Sequence, residues 1–139
     1  MAKAFGIVNF AGNHIRVEGM QEYRPVGAFS FLGRYRVIDF PISNMSNSGI
    51  DHIQVYIRRN PQSLTAHLGT GRHYNINSKS GNLQILYSGL GMNMSLYNND
   101  IASYIESLEY IEQELAEYVV IAPSYMVYTQ NYKKLLNDH

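Results

Sequence analysis

Between Gly33 and Gly49 the chain changes local geometry once, and that switch constrains its fold more than any other stretch. Arg34 to Phe40 alternates basic, aromatic and apolar residues, the pattern of extended chain. At Asp39-Phe40-Pro41 a helix starts. Asp39 is placed to cap it by accepting from its free N–H groups. Pro41 suits the first turn, having a fixed φ and no N–H to lose, and Gly49 supplies the left-handed residue that stops the helix. Ser43, Asn44 and Asn47 share this short helix with Ile42 and Met45. Ser and Asn compete with the backbone for hydrogen bonds in a helix interior. Tertiary contacts are therefore expected to hold the helix, with its amides bonded to something specific.

The rest of the chain alternates strand and helix patterns. Ala4 to Val8 is a short apolar run that reads as a buried parallel strand, and residues 9 to 33 read as a long connection. His52 to Ile57 alternates as a second strand. Asn60-Pro61 opens a helix filled by Ser63 to Leu68 and ended by Gly69. Residues 69 to 81 are a Gly/Asn/Ser loop, and Leu83 to Tyr87 a further strand. A helix capped by Asn99 or Asp100 carries an apolar stripe at Ile101, Tyr104, Ile105, Leu108, Ile111 and Leu115, which predicts a core face. Tyr118 to Ala122 follows as a buried strand, and Tyr132 to Leu136 as a last helix. Such alternation argues for an α/β domain with a largely parallel sheet and right-handed crossovers. Ligands of such sheets bind beyond the carboxyl ends of the strands. The loops at 9–33, 58–61 and 123–131 are therefore the expected site.

The 139 residues suffice for one modest domain. Formal net charge is zero and no Lys/Arg face is clustered, which argues against a nucleic-acid partner. Without cysteine there is neither a disulfide nor a thiolate metal site. No apolar run approaches a membrane span and no signal-peptide core is present, so a cytoplasmic location is expected. The histidines share no metal-ligand spacing, and His67, on the second helix, is expected to be satisfied by the core or by solvent.

The segment GRYRVIDFPISNMSNSGI, Gly33 to Ile50, closely resembles the GGKYRIIDFPLSN…NSGI block of the ADP-glucose pyrophosphorylases, or glucose-1-phosphate adenylyltransferases. The likeness continues through Ser63-Leu64, His67-Leu68 and Glu117 to Ile121. It implies the Rossmann-like nucleotidyltransferase fold, with residues 1–139 forming the N-terminal part of one such domain. Active members continue with further strands and a β-helix, so the sheet here is expected to keep an open edge. Within the family the chain is most similar to the GlgD type, the catalytically degenerate subunit that accompanies an active one.

The departures carry that comparison. Active members place a Gly-rich phosphate loop after the first strand, where this chain has Asn9-Phe10-Ala11-Gly12-Asn13-His14-Ile15-Arg16. Arg24 stands where a phosphate-facing lysine belongs, keeping the charge but not the compact ammonium. The metal-holding aspartate of a Gly-Asp-His segment is replaced by Tyr125 in Ser124-Tyr125-Met126, and a neutral phenol is a poor Mg²⁺ ligand. The sugar-nucleotide segment at Asn99 to Ala102 also departs, and no adenine-contacting glutamine segment is recognisable at Tyr87 to Met92.

The resemblance therefore implies no catalytic residue and no metal in this chain. Arg24, Arg36, Asn44 and Asn47 are the nucleotide- or phosphate-binding candidates. Arg34 is the effector-binding candidate, because a basic residue there belongs to the phosphorylated-effector pocket of some relatives. The residues alone allow blander roles. Arg34 and Arg36 suit a solvated strand edge, and Asn44, Asn47 and Ser48 suit structural hydrogen bonds to neighbouring loops. The expected function is that of a regulatory or structural subunit, hetero-oligomeric with a catalytic subunit that carries Mg²⁺ and forms ADP-glucose, and open to a phosphorylated sugar effector or a nucleotide. Two alternatives remain at this level. One is an active nucleotidyltransferase recruiting its metal through Asp100 or residues beyond 139. The other is a module that binds nucleotide or sugar phosphate without turnover.

Overall fold

The computed structural model describes residues 3–9, 29–33, 35–57, 62–69, 74, 76, 81–87, 104–105 and 108–139. In chain order these form β1 (Ala4–Asn9), β2 (Ser30–Phe31), β3 (Tyr35–Arg36), α1 (Asp39–Asn47), β4 (His52–Ile57), α2 (Gln62–Leu68), β5 (Asn82–Tyr87), α3 (Leu108–Gln113), β6 (Tyr118–Pro123) and α4 (Tyr132–Asp138). Four strands make a parallel sheet in the order β5-β4-β1-β6. β2 and β3 form a separate antiparallel ribbon, turned at Leu32 and Gly33 with φ of 54° and 72°. The α/β architecture with a largely parallel sheet expected of the sequence is therefore present. No helix among the described residues is long and apolar enough to cross a membrane.

The strand period sorts side chains onto two faces. Val8, Ile53, Val55, Leu83, Val120 and Ala122 pack against Ile42 and Met45 of α1, Leu64 and Leu68 of α2, and Tyr132 of α4. Phe5, Ile7, Tyr56 and Leu86 form the other face, with Tyr104 and Ile111 against them. Gly6 lies in the first face at the middle of β1, paired with Ile53 on one side and Val120 on the other. A Cβ there would collide with the Met45 sulfur, so glycine lets α1 sit close on the sheet.

α1 ends as the sequence indicates. Gly49 has φ 83°, and the N–H groups of Ser48, Gly49 and Ile50 close on the carbonyls of Asn44, Met45 and Ser46. Its start differs from expectation. Ile38 occupies the cap position in helical geometry with no side-chain cap, and Asp39 is already the first helical residue. Its carboxylate is bonded instead by the Arg36 N–H, His67 and Tyr74.

Two core expectations also need correction. The predicted apolar stripe splits. Tyr104 and Ile111 pack on the sheet, but Ile105 and Leu108 are exposed. α3 stops at Gln113, so Leu115 leaves the stripe, 82 % exposed with φ 48°. Ile101 and the Asn99 and Asp100 caps lie outside the described residues. β6 is buried on one face only: Val120 and Ala122 face α1, while Val119 and Ile121 stay 44 % and 52 % exposed. The reason is position, since β6 ends the described sheet order and α3 lies over β4 instead.

Candidate functional site

At the carboxyl edge of the sheet β1 and β6 finish in register, Asn9 opposite Pro123. The Ser124 N–H extends the ladder by donating to the Asn9 carbonyl at 2.9 Å. The Asn9 side-chain amide donates to the Tyr104 hydroxyl at 2.9 Å, and the Tyr104 ring meets Tyr56 edge-on at 5.3 Å. Ser124 is 1 % exposed, and its hydroxyl has no hydrogen-bond partner among the described residues. Tyr125 follows in the turn, half-buried. Asn9, Tyr104, Ser124 and Tyr125 are all neutral. They can exchange hydrogen bonds with a polar ligand, but they do not fit Mg²⁺, which takes carboxylates and water. No group of three His, Asp or Glu side chains among the described residues is placed to hold a metal ion.

A second polar cluster joins the ribbon to both helices of the α1 face. Asp39 Oδ2 accepts from the Arg36 backbone N–H at 2.7 Å. Oδ1 accepts from the Tyr74 hydroxyl at 2.6 Å and lies 2.7 Å from His67 Nε2. The carboxylate thus ties β3, α2 and Tyr74 to the first turn of α1. Burial, and then the bond to Asp39, push the Tyr74 hydroxyl far above the usual phenol range. Tyr74 is also held at its carbonyl by the Ser46 hydroxyl.

Asn44 of α1 and its cap residue Ser48 face the segment after β6. The Asn44 amide donates to the Tyr128 carbonyl at 3.0 Å. Ser48 Oγ donates to the Asn44 carbonyl at 2.7 Å and accepts from the Tyr132 N–H at 2.9 Å. Tyr132 bonds Tyr128 through their hydroxyls at 2.7 Å, and burial, then that bond, raise its pKa. Asn44 and Ser48 are buried, whereas Asn47 is exposed in the last turn of α1. That turn leads into β4, so Asn47 lies toward the amino ends of the strands, away from Asn9 and Ser124. Arg36 sits half-buried in the ribbon. Arg24 and Arg34 lie outside the described residues. The structure thus brings Arg36 to the Asp39 cluster and Asn44 to the 124–131 segment, but it does not gather the sequence candidates into one site. Asn9, Tyr104 and Ser124, which share the carboxyl edge, were not singled out by sequence. Only the position of Asn9 and Ser124 at the ends of two predicted strands pointed there.

In a parallel sheet of this kind the carboxyl edge, where β1 and β6 end side by side, is where α/β domains place their ligands. The family model for nucleotidyl transferases matches residues 15–139, and the chain belongs to that family. Its similarity extends to proteins named glucose-1-phosphate adenylyltransferases. It is 32 % identical to the one from Thermotoga neapolitana, over all of this chain and 33 % of that protein. It is 32 % identical to the Bacillus subtilis protein over 92 % of this chain and 34 % of that protein. With the Lachnospira eligens protein it shares 36 % identity over 81 % of this chain and 27 % of that protein. The chain spans about a third of the length of these curated relatives.

Proposed function

We propose that this chain is a non-catalytic, regulatory or structural subunit of a glucose-1-phosphate adenylyltransferase, of the GlgD type. A partner subunit, with its Mg²⁺, forms ADP-glucose from ATP and glucose 1-phosphate in the cytoplasm. The observation that carries this reading is the neutral character of the described residues at the carboxyl edge. Ser124-Tyr125-Met126 closes β6 where the resemblance calls for a metal-holding aspartate, and the side chains beside it are Asn9 and Tyr104. Transfer of a nucleotidyl group spreads negative charge over phosphate oxygens, which metal, cations and aligned N–H groups must offset. A phenol, a hydroxyl and an amide supply none of the fixed positive charge.

The α1 face supports a scaffolding role alongside. Asp39 bonds α1 to α2, and the cap residue Ser48 bonds it to α4. The test is co-purification of the full-length protein with an active adenylyltransferase subunit, followed by assays of ADP-glucose formation with and without it. The expected result is a complex whose rate or effector response is altered, and no turnover by this protein alone. Tyr125→Asp alone is expected to leave it inactive, because the Gly-rich loop is also absent. Turnover by the unmodified protein would overturn the reading.

A further inference from the structure

We propose that β5 is a docking edge for a second copy of this chain, the two β5 strands pairing antiparallel about a twofold axis. β5 ends the described sheet, bonded to β4 on one side and to no described strand on the other. The ladder shows which of its backbone groups face outward. The Asn82 N–H donates to the Asp51 carbonyl at 2.9 Å, so it points toward β4. Successive residues of a strand turn their N–H and C=O groups to opposite edges. Those of Leu83, Ile85 and Tyr87 therefore point away from β4, where such a row is a template for another strand.

The chemistry of β5 favours a copy of itself as that strand. Edge strands are normally blunted by a charge, a proline or a bulge. Asn82 to Tyr87 has no charge and no proline, and the sequence carries no charged residue between Lys79 and Asp100. The β4–β5 register runs unbroken from His52–Asn82 to Ile57–Tyr87, so no bulge bends the strand away. On a twofold axis any charge meets its own like, so an uncharged strand pairs with itself without repulsion. An axis perpendicular to the sheet makes the contact isologous and keeps the α1 faces of both copies on one side. With Ile85 on that axis, Ile85 meets its own copy and Leu83 lies opposite Tyr87. Every outward N–H and C=O of the strand then gains a partner. The side chains match as well. Leu83 belongs to the core of the α1 face and Ile85 packs half-buried against it, so apolar surface continues across the junction. This inference goes beyond the proposed function, because it concerns the sheet edge opposite β6 and needs neither ligand nor catalytic subunit.

The test is sedimentation of the 139-residue chain through the micromolar range. A concentration-dependent dimer is expected. Ile85→Pro removes an outward N–H and leaves the bonds to β4 in place, since proline is tolerated on the outer side of an edge strand. It should sediment at the monomer mass and keep its far-UV circular dichroism. Because the chain has no cysteine, Ile85→Cys gives a second readout. Opposed residues of a hydrogen-bonded antiparallel pair stand about 5.5 Å apart at Cα, within disulfide range. Mild oxidation should therefore link two copies of the Ile85→Cys variant and leave Lys134→Cys, exposed on α4, unlinked. A chain that stays monomeric throughout would overturn the proposal. So would a folded Ile85→Pro variant that still dimerises. Oxidation that links Val119→Cys on β6 in preference to Ile85→Cys would also overturn it, by placing the contact at the opposite edge. Where Ile85→Pro fails to fold, the oxidation result decides.

Discussion

On the face of the sheet covered by α1 and α2, Val8, Ile38, Ile42, Met45, Val55, Leu64 and Leu68 have no accessible surface. On the opposite face Phe5, Ile7, Tyr56 and Leu86 are buried, yet Val119 and Ile121 of β6 and Leu108 of α3 remain about half exposed. The same four strands thus carry one closed core and one partly open one. The difference follows the polar bonds. The closed face is cross-tied by Asp39, Ser46 and Ser48, each reaching a residue 28 to 84 positions away. The open face is tied differently, by Asn9 to Tyr104 and by Gln54 to the Tyr110 carbonyl among the described residues. Hydrophobic burial is non-directional, so long-range polar contacts decide where a helix must sit.

Truncation tests that contrast most strongly. Ile42→Ala is expected to lower unfolding free energy by about 2–5 kcal/mol, the range for emptying a closed core. Leu108→Ala should change it by no more than about 0.5 kcal/mol, as at an exposed position. Urea denaturation of both variants measures this, and equal losses would abolish the distinction between the faces. Asp39→Asn keeps the shape and removes the charge that three donors share. It should cost roughly 1.5–3 kcal/mol in the same assay, and a neutral result would show that the closed face does not need its polar ties.

Gly6→Ala probes how closely α1 approaches. The added methyl meets the Met45 sulfur, so the fully buried Met45 side chain must shift to admit it. Overpacking of about 1–3 kcal/mol is expected. Tyr74→Phe gives the smallest effect, a loss at neutral pH that shrinks in alkali. The folded hydroxyl ionises far above the unfolded value of about 10. The stability this group contributes is therefore complete below about pH 10 and is lost as pH rises, because the unfolded chain releases the proton first. The variant should show a shallower alkaline loss in a pH series of thermal melts. An unchanged slope would place the alkaline sensitivity elsewhere.

Much of this architecture was legible because it is local. Ala4 to Val8, His52 to Ile57 and Tyr118 to Ala122 are strands, and Gly49 and Gly69 end their helices in left-handed turns. What escaped was fixed by partners distant in the chain. Asp39 looks like a cap in isolation, but His67 and Tyr74 lie 28 and 35 residues on, and no spacing joins them. The Ile101 to Leu115 stripe has helical period, but period alone does not say where α3 stops or how far across the sheet it reaches. At the carboxyl edge, Asn9 meets Ser124 only through the β1–β6 register. The resemblance marked the segments holding Asn9 and Ser124 as departures but gave those two side chains no role.

Ser48 has a consequence for how the chain folds. Its hydroxyl completes the last turn of α1 and at the same time accepts the Tyr132 N–H, which opens α4, 84 residues later. A contact of that span closes a long loop, and it is rewarded only after the loop entropy is overcome. The final turn of α1 and the first of α4 should therefore become protected from hydrogen exchange together and late. Such non-local closure slows folding relative to a helical protein of equal length. The small hydroxyl is thus a clock for the whole chain as much as a clasp between two helices.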